Sequence, residues 1–236
     1  MRVGIIGYGR FGKLWAELMK EFGEVVVYDK QVKSQKSIKS KVSDVLDVDM
    51  LFLLVPISEI KNVCKEIRAK LNEKTIVIDA CSVKVKPVRE MKQILKSNQP
   101  IIATHPLFGP DSVKRFGLVG QKIVVSNIRA TAKQLNLLKN ILKKLKLKII
   151  QATPEEHDKQ MAKSQALVHF FGRGLADLKL KKQKIFTPDY ESLLKINDLV
   201  NNDTWQLFFD MQLYNPYAKK IRKDLLLALK KLDSKL

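Results

Sequence analysis

Arg2-Val-Gly-Ile-Ile-Gly7-Tyr-Gly-Arg-Phe-Gly12 is the stretch that decides the fold. Its first half is a short apolar run of strand type, and its second half is the pattern G-x-G-x-x-G at Gly7, Gly9 and Gly12. The segment behind it places Phe11, Leu14, Trp15, Leu18, Met19 and Phe22 at helical spacing. A second run, Glu24-Val-Val-Val-Tyr28, ends in Asp29, twenty positions after Gly9. The glycine pattern alone is weak. Set between strand and helix, with an acidic residue at that distance, it reads as a dinucleotide-binding fingerprint. Gly7 permits the tight turn, Gly9 lets the backbone approach a pyrophosphate, and Gly12 lets helix and strand pack closely. The helix start at Arg10 and Phe11 leaves free N–H groups for the anion. A glycine turn that binds no nucleotide is the competing reading.

Asp29 stands where a carboxylate accepts hydrogen bonds from the adenosine ribose and repels a 2′-phosphate, which favours NAD. Lys30 and Lys33, close behind, soften that discrimination and keep NADP as the second choice. From there strand and helix patterns alternate: strands at 50–55, 75–79, 101–104, 122–126 and 147–150, helices at about 58–71, through Met91 and Leu95, and at about 131–144. Strict alternation means a mostly parallel sheet with helices on both faces, an α/β, Rossmann-like domain over residues 1–152. Ligands of such sheets bind beyond the carboxyl ends of the strands, where Asp29, Val55, Pro56, Ser82 and His105 all fall.

A small all-α domain is expected over residues 153–236, serving substrate binding and dimerisation. Thr153-Pro-Glu-Glu156 is a helix start, with Thr153 as cap, Pro154 in the first helical position and Glu156 closing a capping box. That helix should run to about Leu180 and carries His157, His169 and Arg173. Thr187-Pro188 starts another, and Asn215-Pro216 the last, with Ile221, Leu225, Leu229 and Leu232 on one stripe. So small a module with such apolar faces should pack against a partner copy as a homodimer.

Composition narrows the classes further. Forty-four basic against 24 acidic side chains give a formal charge of +20, but the lysines are scattered over nearly every segment. A nucleic-acid binder should cluster them on one face with aromatics interleaved, so no nucleic-acid partner is expected. The longest apolar run, Met50–Pro56, is too short for a bilayer, and no signal peptide is expected because the first strand begins at Arg2. Cys64 and Cys81 form no close-spaced pair, which suggests neither a disulfide framework nor a metal site and fits a reducing cytoplasm.

His105 lies in Ala103-Thr-His-Pro-Leu-Phe-Gly-Pro-Asp-Ser112, at the end of an apolar run and before two prolines and a glycine that argue against regular structure. A ring that titrates near neutrality on a stiffened turn is well placed to move a proton. Taken by itself, the stretch equally allows a surface histidine beside a turn.

Taken together, several stretches resemble the prephenate and arogenate dehydrogenases of tyrosine biosynthesis. They are Gly7–Gly12, Asp79-Ala-Cys-Ser-Val-Lys84, Thr104–Ser112, Glu156-His-Asp158 with Ser164-Gln165 and His169, Tyr190-Glu-Ser-Leu-Leu194 and Tyr214-Asn-Pro216. The tail from Thr187 to Tyr217 is most similar to the plant-type arogenate enzymes. The resemblance implies an NAD(P)-dependent oxidative decarboxylation of a small cyclohexadienol, with His105 as the base. It implies that Ser82 bonds His105 or the substrate hydroxyl, although Ser82 also reads as a helix cap. Lys84 would offer a cation to a substrate carboxylate, although it also reads as a solvated lysine. Gln165 and His169 would reach the substrate, and His157 would orient the loop; His169 among apolar neighbours also reads as a core histidine.

One position departs from the family pattern. Many prephenate-specific members carry an arginine in the helix after the Thr-Pro or Ser-Pro start, to pair with a side-chain carboxylate. That position here is Glu191, which cannot do so. A carboxylate there suits the α-ammonium of arogenate, which implies an arogenate preference, while an acidic residue in a helix's first turn is favoured anyway. The alternatives are a dehydrogenase of an amino-substituted prephenate analogue and an NAD-binding sensor without turnover.

Overall fold

The computed structural model of the protein describes residues 1–32, 38–39, 41–201 and 203–236. The described chain divides into two compact units, Met1–Pro154 and Glu155–Leu236.

The first unit begins β1 (Arg2–Ile6), α1 (Arg10–Met19), β2 (Glu24–Tyr28), β3 (Ile38–Lys39) and β4 (Met50–Leu53). It continues α2 (Ile60–Ile67), β5 (Ile76–Asp79), α3 (Val85–Ile94), β6 (Ile101–Pro106) and α4 (Pro110–Phe116). It closes with β7 (Lys122–Arg129), α5 (Ala132–Lys144) and β8 (Lys148–Gln151). The strands form one sheet in the order β3-β2-β1-β4-β5-β6-β7-β8. Every pairing is parallel except β6 with β7. Strands β4 and β5 are buried at every position, as an apolar run covered by helices on both faces must be. Trp15 and Met19 of α1 meet Phe52, Ile78 and Ile123 from the sheet and Leu138 and Leu142 of α5 in one core. Each such side chain contributes about 1.5–3 kcal/mol when fully buried. Helix α5 starts where its capping box requires: Thr131 Oγ1 accepts from Gln134 N at 3.3 Å and Gln134 Oε1 accepts from Thr131 N at 2.9 Å.

Two expectations around His105 need correction. The strand runs past Thr104 to Pro106, so His105 sits inside β6, opposite Val124 of β7, and is only 3% exposed. The prolines do not exclude regular structure either, because Pro110 occupies the first position of α4, where its missing N–H costs nothing.

In the second unit, α6 (Pro154–Met161) leads into a π-helical turn (Ala162–Ala166) and then α7 (Leu167–Asp177), followed by α8 (Pro188–Asn201), α9 (Trp205–Tyr214) and α10 (Ala218–Asp233). The single helix expected to about Leu180 is therefore interrupted. The π turn is supported from outside: Gln212 Nε2 donates to the Ala166 carbonyl at 2.6 Å, and Arg222 Nη1 holds Gln212 Oε1 at 2.6 Å. Helices α7 and α8 touch at Gly172, where a Cβ would lie 2.8 Å from Val200 Cγ1. Helix α9 is not anticipated from sequence, because Trp205, Leu207, Phe208, Phe209, Met211 and Leu213 spread round the helix and hide the period. Its one signal is Thr204, whose hydroxyl accepts from Leu207 N at 3.2 Å. Helix α10 begins two residues after Pro216, since Asn215 Oδ1 first closes a turn on Tyr217 N at 2.9 Å. Among the described residues no helix is long and apolar enough to cross a membrane.

Candidate active site

The glycine loop is built as its sequence requires. Gly7 has φ +107° and donates its N–H to Tyr28 O at 2.9 Å, a conformation open to glycine at little cost. A Cβ on Gly12 would lie 2.2 Å from Gly7 O, so only glycine lets α1 start this close to β1. A Cβ on Gly9, by contrast, would meet nothing within 4 Å. The backbone there is open on its outer side, as the approach of a pyrophosphate to the start of α1 demands.

Asp29 anchors this loop. Its Oδ2 accepts from Tyr8 N at 2.6 Å, and its Oδ1 accepts from Gln31 N at 2.7 Å and Val32 N at 3.3 Å. A carboxylate has about four acceptor positions, so a ribose hydroxyl can still be taken up beside these bonds. Arg10 turns to helix α4, where its Nη2 lies 2.5 Å from Asp111 Oδ1. Phe11 stacks on Trp15 at 5.7 Å and meets Phe108 at 6.2 Å. The Arg10–Asp111 ion pair and the Phe11–Phe108 contact thus tie the loop to the segment after His105. Val55, half-buried, and Pro56, exposed, follow the end of β4. Lys30 is exposed, and Lys33 lies outside the described residues.

At the carboxyl ends of β5 and β6 stands a polar cluster that sequence reasoning misses. Asp79 closes β5 with no exposed side-chain surface and pairs with Lys84, itself fully buried. The Lys84 ammonium also donates to Thr104 O, and Thr104 Oγ1 donates to Asp79 O at 2.6 Å. Lys84 is therefore a strut between two strand ends, and its reading as a solvated lysine is corrected. The physical reason is that a buried ammonium must be matched by nearby acceptors, and here those acceptors are internal. An acidic residue closing an otherwise apolar strand, five positions before a lysine, is the signal that could have revealed it. Ser82, partly buried, lies between these two residues, and His105 follows Thr104 directly. Gly7, Gly9, Gly12, Asp29, Val55, Pro56, Ser82 and His105 all belong to the carboxyl edge of the sheet. A cleft of about 680 Å³ lined by Arg2, Asp49, Lys74 and Thr131 lies at the opposite edge, around the starts of the strands, where such folds do not bind their ligands.

Within the second unit, Gln165, His169 and Arg173 follow one another at four-residue intervals through the π turn and α7. His169 is 5% exposed, and its Nε2 lies 3.6 Å from Asp203 Oδ2. Burial pushes its pKa below the ordinary histidine value; the Asp203 carboxylate opposes that shift and the Arg173 guanidinium adds to it. Arg173 donates from Nη2 to the Asp203 carbonyl at 2.5 Å and lies 4.3 Å over the Trp205 ring. Gln165 Oε1, His169 Nδ1 and Arg173 Nε are all buried without a hydrogen-bond partner. Glu191 is half-exposed in the first turn of α8, 3.8 Å from Lys182 Nζ. His157 is sealed in the interior with its Nδ1 2.8 Å from Asp158 Oδ1, and Asn215 Nδ2 donates to Asp158 O at 2.9 Å. The Glu-His-Asp and Tyr-Asn-Pro stretches thus meet in a buried polar joint between α6 and the α9–α10 turn.

Residues 24–151 match the model of the prephenate dehydrogenase nucleotide-binding domain, and residues 174–236 match that of a TYRAAT1-like C-terminal domain. Arogenate dehydrogenase 1, chloroplastic, of Arabidopsis thaliana is 30% identical over 92% of this chain and 36% of its own length. A probable arogenate/prephenate dehydrogenase of Methanocaldococcus jannaschii is 27% identical over 94% of this chain and 54% of its own length. The chain thus spans about a third to a half of these relatives. In fold it is similar to the prephenate dehydrogenase of A. aeolicus solved with hydroxyphenyl propionate and NAD+, with a TM-score of 0.77 and 20% identity over 99% of this chain and 89% of that one.

Proposed function

The chain belongs to the prephenate dehydrogenase family by its nucleotide-binding domain, and from that premise we propose that it is an NAD(P)-dependent arogenate/prephenate dehydrogenase of tyrosine biosynthesis. Its reaction is the oxidative decarboxylation of a cyclohexadienol, giving tyrosine from arogenate or 4-hydroxyphenylpyruvate from prephenate. The observation that carries this reading is the placement of the Asp29-anchored glycine loop and of His105 at the carboxyl ends of strands in one sheet.

Gly7, Gly9 and Gly12, with the N–H groups of Arg10 and Phe11, would hold the cofactor's pyrophosphate, and Asp29 its ribose; Val55 and Pro56 flank the same edge. When bound, the nicotinamide accepts the hydride and so supplies the redox chemistry. His105 takes the proton of the hydroxyl on the carbon that is oxidised. Ser82 bonds that histidine or the hydroxyl. Carbon dioxide leaves from the opposite ring carbon, the ring becomes aromatic, and the step is thereby irreversible. Gln165 and His169 are assigned to the substrate. NAD is the preferred cofactor because Asp29 repels a 2′-phosphate, with NADP second.

Arogenate is the preferred substrate, on the strength of a carboxylate at Glu191. Glu191→Arg should shift the ratio of kcat/KM values towards prephenate, and an unchanged ratio removes Glu191 from the assignment. The protein is assigned to the cytoplasm, a reducing compartment that suits the buried free thiols of Cys64 and Cys81. It is also assigned as a homodimer, since Trp205, Phe209 and Leu213 of α9 and Leu227, Leu229 and Leu232 of α10 are exposed. Light scattering that returns a monomer mass would overturn the second assignment.

The deciding experiment is reduced-cofactor formation with arogenate and with prephenate, each with NAD and NADP, beside His105→Asn. Turnover by the native protein and its loss in a variant that still binds NAD is the expected result. NAD binding without turnover of either substrate would replace the enzyme by the analogue dehydrogenase or the sensor.

A further inference from the structure

We propose that Arg173 is the cation that recognises the carboxylate on the substrate's side chain, an inference that rests on the dehydrogenase reading above. Arogenate and prephenate carry two carboxylates: one leaves as carbon dioxide, while the other, at the tip of the side chain, survives into the product and must be matched by a charge. Neither residue whose position in the family suggests that task offers an exposed cation here. Lys84 is fully buried and paired with Asp79, and Glu191 carries the wrong sign and lies beside Lys182.

Arg173 has the properties the task demands. It lies one helical turn after His169 and two after Gln165, both assigned to the substrate. Its guanidinium plane is fixed by stacking on Trp205 and by the bond from Nη2 to the Asp203 carbonyl, so little rotamer freedom remains to be lost on binding. Among the described residues no carboxylate lies within ion-pair distance of it, and its Nε is buried without an acceptor. A partly buried guanidinium with an unmet donor favours an incoming anion, and a carboxylate matches its planar fork better than any neutral group. His169 Nδ1 and Gln165 Oε1 also lack partners, so unmet polar atoms recur at four-residue intervals through the π turn and α7.

The test measures discrimination between charge and shape. 3-(4-Hydroxyphenyl)propionate and its primary amide have nearly the same shape and differ in charge, and both are titrated by calorimetry into the NAD-loaded protein. Native protein should bind the carboxylate roughly 10- to 100-fold more tightly than the amide, the scale of one desolvated charge-assisted hydrogen bond. Arg173→Gln should abolish that preference and leave amide affinity within about twofold, whereas a purely structural arginine would weaken both ligands together. Arg173→Lys, which keeps the charge, should retain part of the preference and serves if the glutamine variant does not fold. In turnover, Arg173→Gln should raise KM for arogenate while kcat changes little. Retention of the carboxylate preference in Arg173→Gln, or no more preference in Arg173→Lys than in a charge-free variant, overturns the assignment. Native protein that prefers the carboxylate but turns over neither substrate would overturn the dehydrogenase reading and leave Arg173 as an anion site. Native protein that binds neither ligand would overturn both.

Discussion

Lys84 and Asp79 form an ion pair in which both side chains are completely sealed from solvent, and the same ammonium reaches the carbonyl of Thr104, the residue before His105. The proposed base is therefore set on a strand end whose position is fixed by a buried charge pair. Replacing Lys84 by Met should leave the Asp79 carboxylate buried without its counter-ion and cost about 3–5 kcal/mol of stability. Replacing both, as Asp79→Leu with Lys84→Met, should restore most of that loss. Urea unfolding of the two variants decides it, and a single variant as stable as the native chain would remove the strut.

How much of this was legible in the sequence depends on which interaction sets each feature. The glycine loop, Asp29 and the order of the sheet are local or periodic, so G-x-G-x-x-G and the apolar runs reveal them. The pairing of Lys84 with Asp79 is not, because a lysine in a Ser-Val-Lys run looks the same whether it faces water or a strand end. His105 in β6 is decided by β7, about twenty residues later, which supplies the pairing that carries the strand past Thr104. The π turn has no sequence period of its own and depends on Gln212 and Arg222 from α9 and α10.

Arg10 and Asp111 should govern cofactor affinity in opposite directions. The guanidinium holds the Asp111 carboxyl below its ordinary range, and a pyrophosphate on the adjacent loop competes for the same cation. Asp111→Asn should tighten NAD binding by about two- to fivefold, and Arg10→Gln should weaken it and flatten its salt dependence. Fluorescence titration over a salt series reads both. Equal weakening in the two variants would instead make the pair a unit that shapes the loop.

His169 should make the fold acid-sensitive. Its pKa is lowered in the folded state, mainly by burial, so the unfolded chain binds the proton more readily. Stability is then complete above the ordinary histidine value of about 6.5 and falls as pH drops from there through the lowered value. His169→Gln should flatten that part of the stability-against-pH curve. Curves of identical slope for the two proteins between about pH 7 and pH 5 would show that another group carries the acid response.

Cys64 should be inert while the protein is folded. It is fully buried, and burial, reinforced by the charges of Glu90 and Asp79, pushes its thiol up to about 12. The thiolate is the reactive form, so at neutral pH almost none is present and the site is closed to reagents as well. Iodoacetamide should label Cys64 only at the rate at which the first unit opens, and the rate should rise steeply through the unfolding transition in urea. Cys64→Ala should cost about 1 kcal/mol or more, as the loss of a small buried hydrophobe from between helices and sheet, and should leave turnover unchanged. Labelling in native buffer as fast as that of a free thiol would show that this part of the core opens far more readily than its packing implies.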